Sequence, residues 1–227
     1  HAPWYSIRDT IETVKLFEGI ETIGSYSFHN CENIVKITLP ESVETIGSGA
    51  FSSCLRMTTI ILPSKVTIIK ENLFNSCCKL SSIQIQGQVE KIESFSFFFC
   101  RSLNSLFLPE SVKSIGESSF YLCSSLQSIT IHENIEWIGS NAFQLCTSLN
   151  SFSIPSKVTI VKERLFAECS LLSSIQIHNE VTSIEPFAFT CCSNLVSVKI
   201  PPKVSVIQKS SFSVCIELTS IQFHKNI

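Results

Sequence analysis

A phenylalanine recurs every 23 residues along this chain, and this period constrains the fold more than any other feature of the sequence. Nine phenylalanines keep the spacing without an insertion or deletion: Phe28, Phe51, Phe74, Phe97, Phe120, Phe143, Phe166, Phe189 and Phe212. A cysteine follows each of them three residues later: Cys31, Cys54, Cys77, Cys100, Cys123, Cys146, Cys169, Cys192 and Cys215. A fixed period of about 20–50 residues is typical of repeat proteins, in which each unit buries its apolar side chains against its neighbours. The sequence therefore predicts one solenoid domain.

The apolar residues around each phenylalanine predict the shape of one coil. β-Branched residues stand eight and five residues before it, and aliphatic residues stand six, nine and eleven residues after it, such as Leu126, Ile129 and Ile131 after Phe120. The spacing L-x-x-I-x-I is that of the strand-bearing half of a leucine-rich repeat, and its alternation places the last two side chains on one face of a strand. A following proline, such as Pro109, cannot donate to a sheet and ends the strand.

These features predict a mainly β fold in the α/β solenoid class: a right-handed leucine-rich-repeat solenoid of 23-residue coils with short convex helical turns. Residues 1–19 are expected to form an N-terminal capping unit, because Tyr5 takes the phenylalanine position, with Trp4 beside it, and the charged Arg8 takes the cysteine position. Residues 20–227 are expected to form nine repeats. Since Ile227 stands inside a further unit, we expect the array to be truncated there, and to continue or to associate end to end through this uncapped coil.

Charge and motifs exclude several classes of function. With 17 Lys+Arg against 19 Asp+Glu, the net charge of −2 gives no electrostatic basis for binding nucleic acid. No stretch approaches the ~18 apolar residues of a membrane span. The sequence contains no Ser/His/Asp grouping, no pair of catalytic carboxylates, no glycine-rich phosphate loop and no H-E-x-x-H. We therefore expect a protein that is not an enzyme and needs no cofactor.

The eleven cysteines are interpreted as free thiols with a structural role. Nine form the repeated column, where a buried thiol acts as a small apolar side chain. Cys78 and Cys191 lie outside it, about five coils apart, so they cannot pair within one solenoid. Zinc needs two close pairs of ligands, and no second pair is present. His132, His178 and His224 share one position in alternate units, too far apart to bind one metal ion, and are expected to be exposed loop residues.

Two surfaces remain as candidate sites. The positions eight and ten residues after each phenylalanine flank the inward-facing residue of each strand and predict a polar, almost uncharged concave face: Thr59, Ile61, Ser82, Gln84, Ser105, Phe107, Ser128, Thr130, Ser151, Ser153, Ser174 and Gln176. Such a face would bind a protein through adaptable hydroxyl groups around a few apolar anchors. The alternative is an ordinary solvated sheet of small residues.

The second candidate is a convex apolar patch in three adjacent coils, where most other units carry polar residues. Its members are Phe98, Phe99, Tyr121, Leu122 and Leu145. An exposed patch of this kind would mark an interface. The alternative, that these side chains pack under the convex turn as core, stays open at this point.

The segment Ile46-Gly-Ser-Gly-Ala-Phe-Ser-Ser-Cys54, together with Leu-Pro-Glu-Ser-Val at 39–43 and 108–112, resembles the BspA-like leucine-rich repeats of the Treponema pallidum type. The resemblance covers essentially the whole chain. It implies a non-enzymatic protein-interaction module of mucosal bacteria or parasitic protists, at the cell surface or secreted, which acts as an adhesin toward host matrix proteins or other cells. The alternative is an intracellular scaffold in the cytoplasm, which the free thiols and the absence of N-x-S/T sites favour.

Overall fold

The chain forms a parallel β-solenoid, which confirms the predicted fold. The computed structural model describes residues 4–223, apart from the side chain of Tyr5. A 3-10 helix at Tyr5–Thr10 precedes the first strand, and no other helix occurs in this described part of the chain. Every strand pair is parallel and joins residues 23 positions apart, as Val14 joins Ile37. One coil of the solenoid is therefore one sequence period.

Each coil contributes one strand to the concave side, from the I-x-I segment of the repeat. These strands are β1 (Thr13–Lys15), β3 (Lys36–Thr38), β5 (Thr59–Leu62), β7 (Ser82–Ile85), β9 (Ser105–Leu106), β11 (Ser128–Ile129), β13 (Ser151–Ser153), β15 (Ser174–Gln176), β17 (Ser197–Lys199) and β18 (Ser220–Gln222). Hydrogen bonds connect β1-β3-β5-β7, β9-β11, β13-β15 and β17-β18. The concave side is thus divided into four short sheets.

A second strand of two residues lies on the return side, before eight of the nine repeat phenylalanines. These return strands are β2 (Thr22–Ile23), β4 (Thr45–Ile46), β6 (Ile68–Ile69), β8 (Lys91–Ile92), β10 (Ser114–Ile115), β12 (Trp137–Ile138), β14 (Ile160–Val161) and β16 (Ser183–Ile184). They form the sheets β2-β4, β6-β8-β10-β12 and β14-β16. Ile184 and Ile207 add one isolated parallel bridge.

The core between the two sides is a continuous stack of rings. The centroids of successive phenylalanines in the repeat lie 5.1–5.9 Å apart from Phe28 to Phe212, with interplanar angles of 1–23°. Trp4 extends the stack at its N-terminal end, 5.1 Å from Phe28, and its Nε1 donates to the carbonyl oxygen of Ser27 at 2.8 Å. The ring on Phe28 therefore comes from Trp4, one residue before the predicted position, while the Tyr5 side chain lies outside the described atoms.

The convex side consists of turns rather than helices. Bonds from residue i to i−3, such as Cys54 N to the Phe51 oxygen at 3.2 Å, close single turns. In each of nine coils, the residues two before and two after the repeat phenylalanine both have positive φ, between 51° and 62°. A left-handed residue interrupts a right-handed helix. The predicted convex helical turns are consequently limited to single turns.

Candidate functional site

The predicted concave face points to solvent. Exposed and buried side chains alternate along its strands, as in β5, where Thr59 and Ile61 are exposed while Ile60 and Leu62 are buried. Of the twelve residues predicted for this face, eleven are exposed and Thr130 is half-buried. The alternation follows from the pleat of a strand with one face on the core. Whether the face binds a partner remains a proposal.

Parallel pairing places equivalent residues of the concave face side by side. Ser82 lies beside Thr59, and Gln84 lies beside Ile61. Further along, Ser153 Oγ donates to Gln176 Oε1 at 3.4 Å. Because hydroxyl and amide groups occupy most of both rows, this surface offers many hydrogen-bond donors and acceptors. Between residues 59 and 176, neither row contains a charged side chain.

Two large apolar side chains interrupt the polar rows. Phe107 is 71% exposed and Ile61 is 50% exposed. They belong to the same row, two coils apart, which is roughly 10 Å at the usual spacing of strands. The ring of His132 meets Phe107 edge to face, with centroids 6.0 Å apart. Phe107 and Ile61 are thus the most exposed apolar groups of the concave face between β5 and β15.

Shallow depressions lie beside these rows. One, of about 310 Å³, is lined by Lys36, Thr38, Thr59, Ile61 and others. A second, of about 270 Å³, opens where β11 and β13 do not pair. Ile129 and Ile131 are half-buried there, although their position in the repeat predicts core. The sequence did not indicate the second depression, because the break in the sheet depends on how successive coils separate.

The convex apolar patch is half-buried throughout. Phe98 stacks on Tyr121 with centroids 4.9 Å apart, and contacts Phe99 at 4.7 Å. Phe95, which the sequence analysis missed, joins the cluster 5.6 Å from Phe98. Arg101 lies over the Phe99 ring at 5.0 Å. The cluster is therefore neither fully buried core nor a freely exposed strip.

Two other members of the patch, Leu122 and Leu145, are also half-buried. Both have positive φ, as Phe99 does. Left-handed backbone is unfavourable for a bulky side chain by roughly 1–2 kcal/mol. The same positive φ occurs at this position in all nine coils, so it belongs to the convex turn and does not distinguish the patch from the other coils.

The cysteine column lies in the core, in an environment that disfavours thiol reactivity. Its thiols from Cys31 to Cys192 are buried, and Cys215 is half-buried. Burial raises the pKa of every thiol in the column. Since the thiolate is the nucleophile and the metal ligand, a raised pKa opposes both roles. All eleven cysteines are free, and Cys78 and Cys191 are half-buried.

The histidines correct one expectation. His132 and His178 are half-buried rather than exposed. His132 Nε2 lies 2.7 Å from the carbonyl oxygen of Leu108, and His178 Nε2 lies 3.2 Å from that of Val158. The main-chain oxygens of His132 and His178 also accept from the residue three positions later, as the oxygen of Pro40 does, so the histidine units keep the same backbone turn. His224 lies outside the described residues, as does Ile227, on which the expected end-to-end association rests.

Within residues 4–223, no group of three or more His, Cys, Asp or Glu side chains could hold a metal ion. The same region contains no helix of the length and hydropathy that a membrane crossing requires.

The repeated geometry agrees with a known family model. The model of the family described as "BspA type Leucine rich repeat region" matches residues 5–127 and 113–227, in six copies. The chain belongs to the BspA-type leucine-rich repeat family. This membership confirms the resemblance seen in the sequence. It also makes the chain a repeat protein of a kind whose extended surfaces serve protein interaction. A search of curated proteins finds no match.

Solved structures agree with this membership. A leucine-rich repeat protein from Bacteroides ovatus is 30% identical, with a TM-score of 0.83, over 95% of this chain and 55% of that one. The chain thus spans about half the length of that relative. The Treponema pallidum leucine-rich repeat protein is 26% identical, with a TM-score of 0.58, over 81% of this chain and 77% of that one. The pneumococcal vaccine antigen PcpA shares the fold at 20% identity, with a TM-score of 0.67, over 95% and 63% of the two chains.

Proposed function

We propose that this BspA-type array is the interaction module of a cell-surface or secreted protein, and that it binds host matrix proteins or other cells through its concave face. The observation that carries the proposal is Phe107, an aromatic ring 71% exposed within an uncharged field of hydroxyl and amide groups. Binding energy at protein interfaces concentrates in a few large anchors surrounded by adaptable polar contacts.

Ile61 supplies a second anchor beside the depression of about 310 Å³. A segment of a partner that crosses β5, β7 and β9 would cover both anchors and the hydroxyl row between them. The convex apolar patch is a secondary candidate for the same kind of contact. The cell-surface location is supported by the description of one structural relative as a vaccine antigen.

The test of the binding face is adhesion to surfaces coated with laminin, collagen or fibronectin, and to epithelial cells. The variant Phe107→Ser with Ile61→Thr exchanges the anchors for residue types already present in their rows, so the fold should persist. We expect saturable binding by the natural sequence and at least a tenfold loss in the double variant, since an anchor contributes on the order of 2 kcal/mol or more. Unchanged adhesion would overturn the concave proposal.

The matched control is Tyr121→Ser, which alters the convex side alone. If this variant loses adhesion while the double variant keeps it, the partner binds the convex apolar patch. Circular dichroism of each variant separates loss of binding from loss of fold.

An intracellular scaffold is the second candidate, because all eleven cysteines are free, as suits a reducing compartment. Protease treatment of intact source cells, with an immunoblot for this chain and for a cytosolic control protein, distinguishes the two. Loss of this chain with the control intact supports the surface location. Full protection contradicts it and directs the search to intracellular partners.

A further inference from the structure

An exposed tryptophan on the return side belongs to neither candidate surface. Trp137 begins β12 and is 45% exposed. Its position, six residues before the repeat phenylalanine, holds Thr, Ile, Lys, Ser or Val in the other units from residue 22 to residue 206. A large amphipathic ring on a solvated strand has no role in the solenoid core, which the phenylalanine stack already fills.

Glycines lower the surface around this ring. Gly116 and Gly139 occupy the same position in adjacent coils, four residues before the repeat phenylalanine. A Cβ atom on Gly116 would lie 2.4 Å from Ser94 N, and one on Gly139 would lie 2.5 Å from Glu117 N and 2.8 Å from the Trp137 ring. Only glycine allows these approaches. The ring therefore lies over a glycine, and the neighbouring coil leaves a hollow beside it.

The hollow is a defined space with polar groups on its far side. Its volume is about 330 Å³, at the small end of the ~300–1,000 Å³ usual for ligand sites. Trp137, Ser114 and Lys91 follow one another across paired strands. Glu93 is held in place, because its Oε1 lies 3.1 Å from Lys91 Nζ and its Oε2 accepts from Glu71 N at 3.0 Å.

A smaller depression of about 100 Å³ lies on the opposite side of the ring, toward Ile160 and Lys162. It forms where β12 is the last strand of its sheet and does not pair with β14. Trp137 thus lines two depressions, one shared with the preceding coils and one with the following coil.

We propose that Trp137 and this hollow form a saccharide-binding site. An indole gives a flat apolar surface for one face of a sugar ring. Carboxylate, ammonium and hydroxyl groups at Glu93, Lys91 and Ser114 supply the acceptors and donors that a ligand dense in hydroxyl groups needs. A purely apolar ligand would leave Glu93 and Lys91 without solvation.

The internal duplication of the chain supports a specific role for the ring. Residues 63–68 repeat at 155–160, a shift of 92, or four coils. Under the same shift, the glycine pair Gly24 and Gly47 corresponds to Gly116 and Gly139, and Thr45 corresponds to Trp137. The glycine arrangement is therefore common to both blocks, and the tryptophan is present in one of them.

The experiment follows the indole proton of Trp137 by NMR while the purified protein is titrated with cellobiose, lactose, maltose or N,N′-diacetylchitobiose at millimolar concentration. The chain has two tryptophans, so the Trp137 signal is identified by its loss in Trp137→Thr, and Trp4 serves as internal reference. We expect a saturable shift of Trp137 with at least one disaccharide, while Trp4 stays in place.

Three variants test the role of the ring. Trp137→Thr copies the residue at position 45, and should lower the affinity measured by calorimetry by roughly tenfold or more, since it removes the apolar surface. Trp137→Phe should keep most of the affinity. Phe17→Ser removes a ring that is 67% exposed and lies outside both proposed binding sites, and it should leave the sugar affinity unchanged. No saturable shift with any of the sugars, or equal affinity in Trp137→Thr, overturns the proposal.

This site is independent of the proposed adhesion through the concave face. If Phe107→Ser with Ile61→Thr loses adhesion, the same variant should still bind the sugar. Failure of sugar binding in Trp137→Thr leaves the concave face unchanged.

Discussion

The thiol of Cys123 donates to the main-chain oxygen of Phe97 in the preceding coil, across 3.2 Å. That oxygen also accepts from Cys100 N at 3.1 Å. The same thiol contact recurs in eight successive coils, from Cys54 to Cys215, at 3.1–3.4 Å. A cysteine suits the position because it is small and apolar and still carries a weak donor. The column links each turn to the coil before it.

Replacing Cys123 with alanine should lower the free energy of unfolding by about 1–2 kcal/mol, because it removes buried volume and one donor while Phe97 keeps its other bond. Urea unfolding followed by circular dichroism measures the change. Cys215→Ala is the matched control, since that thiol makes the same contact but is only half-buried. The free energy of unfolding should fall less in this variant, and an equal fall at the two positions would show that burial is not the cause.

Alkaline conditions should destabilise the solenoid. Burial raises the pKa of the column thiols in the folded chain, whereas in the unfolded chain they titrate near pH 8.5. Above about pH 8.5 the unfolded state binds fewer protons than the folded state, so stability falls as the pH rises, by up to about 1.4 kcal/mol per pH unit for each thiol.

Urea midpoints between pH 7 and about pH 10.5 measure this dependence. The double variant Cys78→Ala with Cys191→Ala should keep the same dependence, because these two thiols lie outside the column. A midpoint that does not change up to pH 10.5 would contradict the effect of burial.

Exchanging Val214 for asparagine should stabilise the fold by about 1 kcal/mol. Val214 has a φ of 58° and is 62% exposed. The change removes the unfavourable left-handed conformation of a β-branched residue and loses little buried apolar surface. Asn30 occupies the equivalent position with the same backbone. Val206→Asn is the control at 63% exposure without positive φ, and a gain in both variants would exclude the backbone explanation. Thermal unfolding compares them.

Phe98 and Tyr121 should stabilise the fold cooperatively. Serine occupies their position at Ser52 and Ser213, so Phe98→Ser and Tyr121→Ser are compatible with the backbone. A double-mutant cycle in urea should give a coupling energy of about 0.5–1.5 kcal/mol for rings stacked at 4.9 Å. If the two losses of unfolding free energy are additive, the stacking of the rings does not stabilise the fold, and the rings are available to a partner.

Much of the fold could be predicted from the sequence because its period is constant. A spacing of 23 residues without slippage places Phe97, Phe120 and Phe143 in one column whatever the details of the coil, and the alternation around Ile60 fixes which residues of β5 face the core. The polar rows of the concave face follow from the same alternation.

The site was less accessible to prediction. The half-burial of Phe98, the contribution of Phe95 and the carbonyl contacts of His132 depend on distances between coils that no single unit encodes. The hollow beside Trp137 also depends on the distance between coils, whereas the tryptophan itself departs from its column in the sequence, where the other units carry Thr, Ile, Lys, Ser or Val.

The sequence by itself determined the coil length, the phenylalanine and cysteine columns and the family, because a periodic pattern of burial has one consistent stacked solution. Only the tertiary structure decided where the sheets break, which ring extends the stack beyond Phe28, and where the hollow forms beside Trp137. These features depend on how closely each coil approaches the next, and that approach is set by packing between residues 23 positions apart rather than by the pattern within one unit.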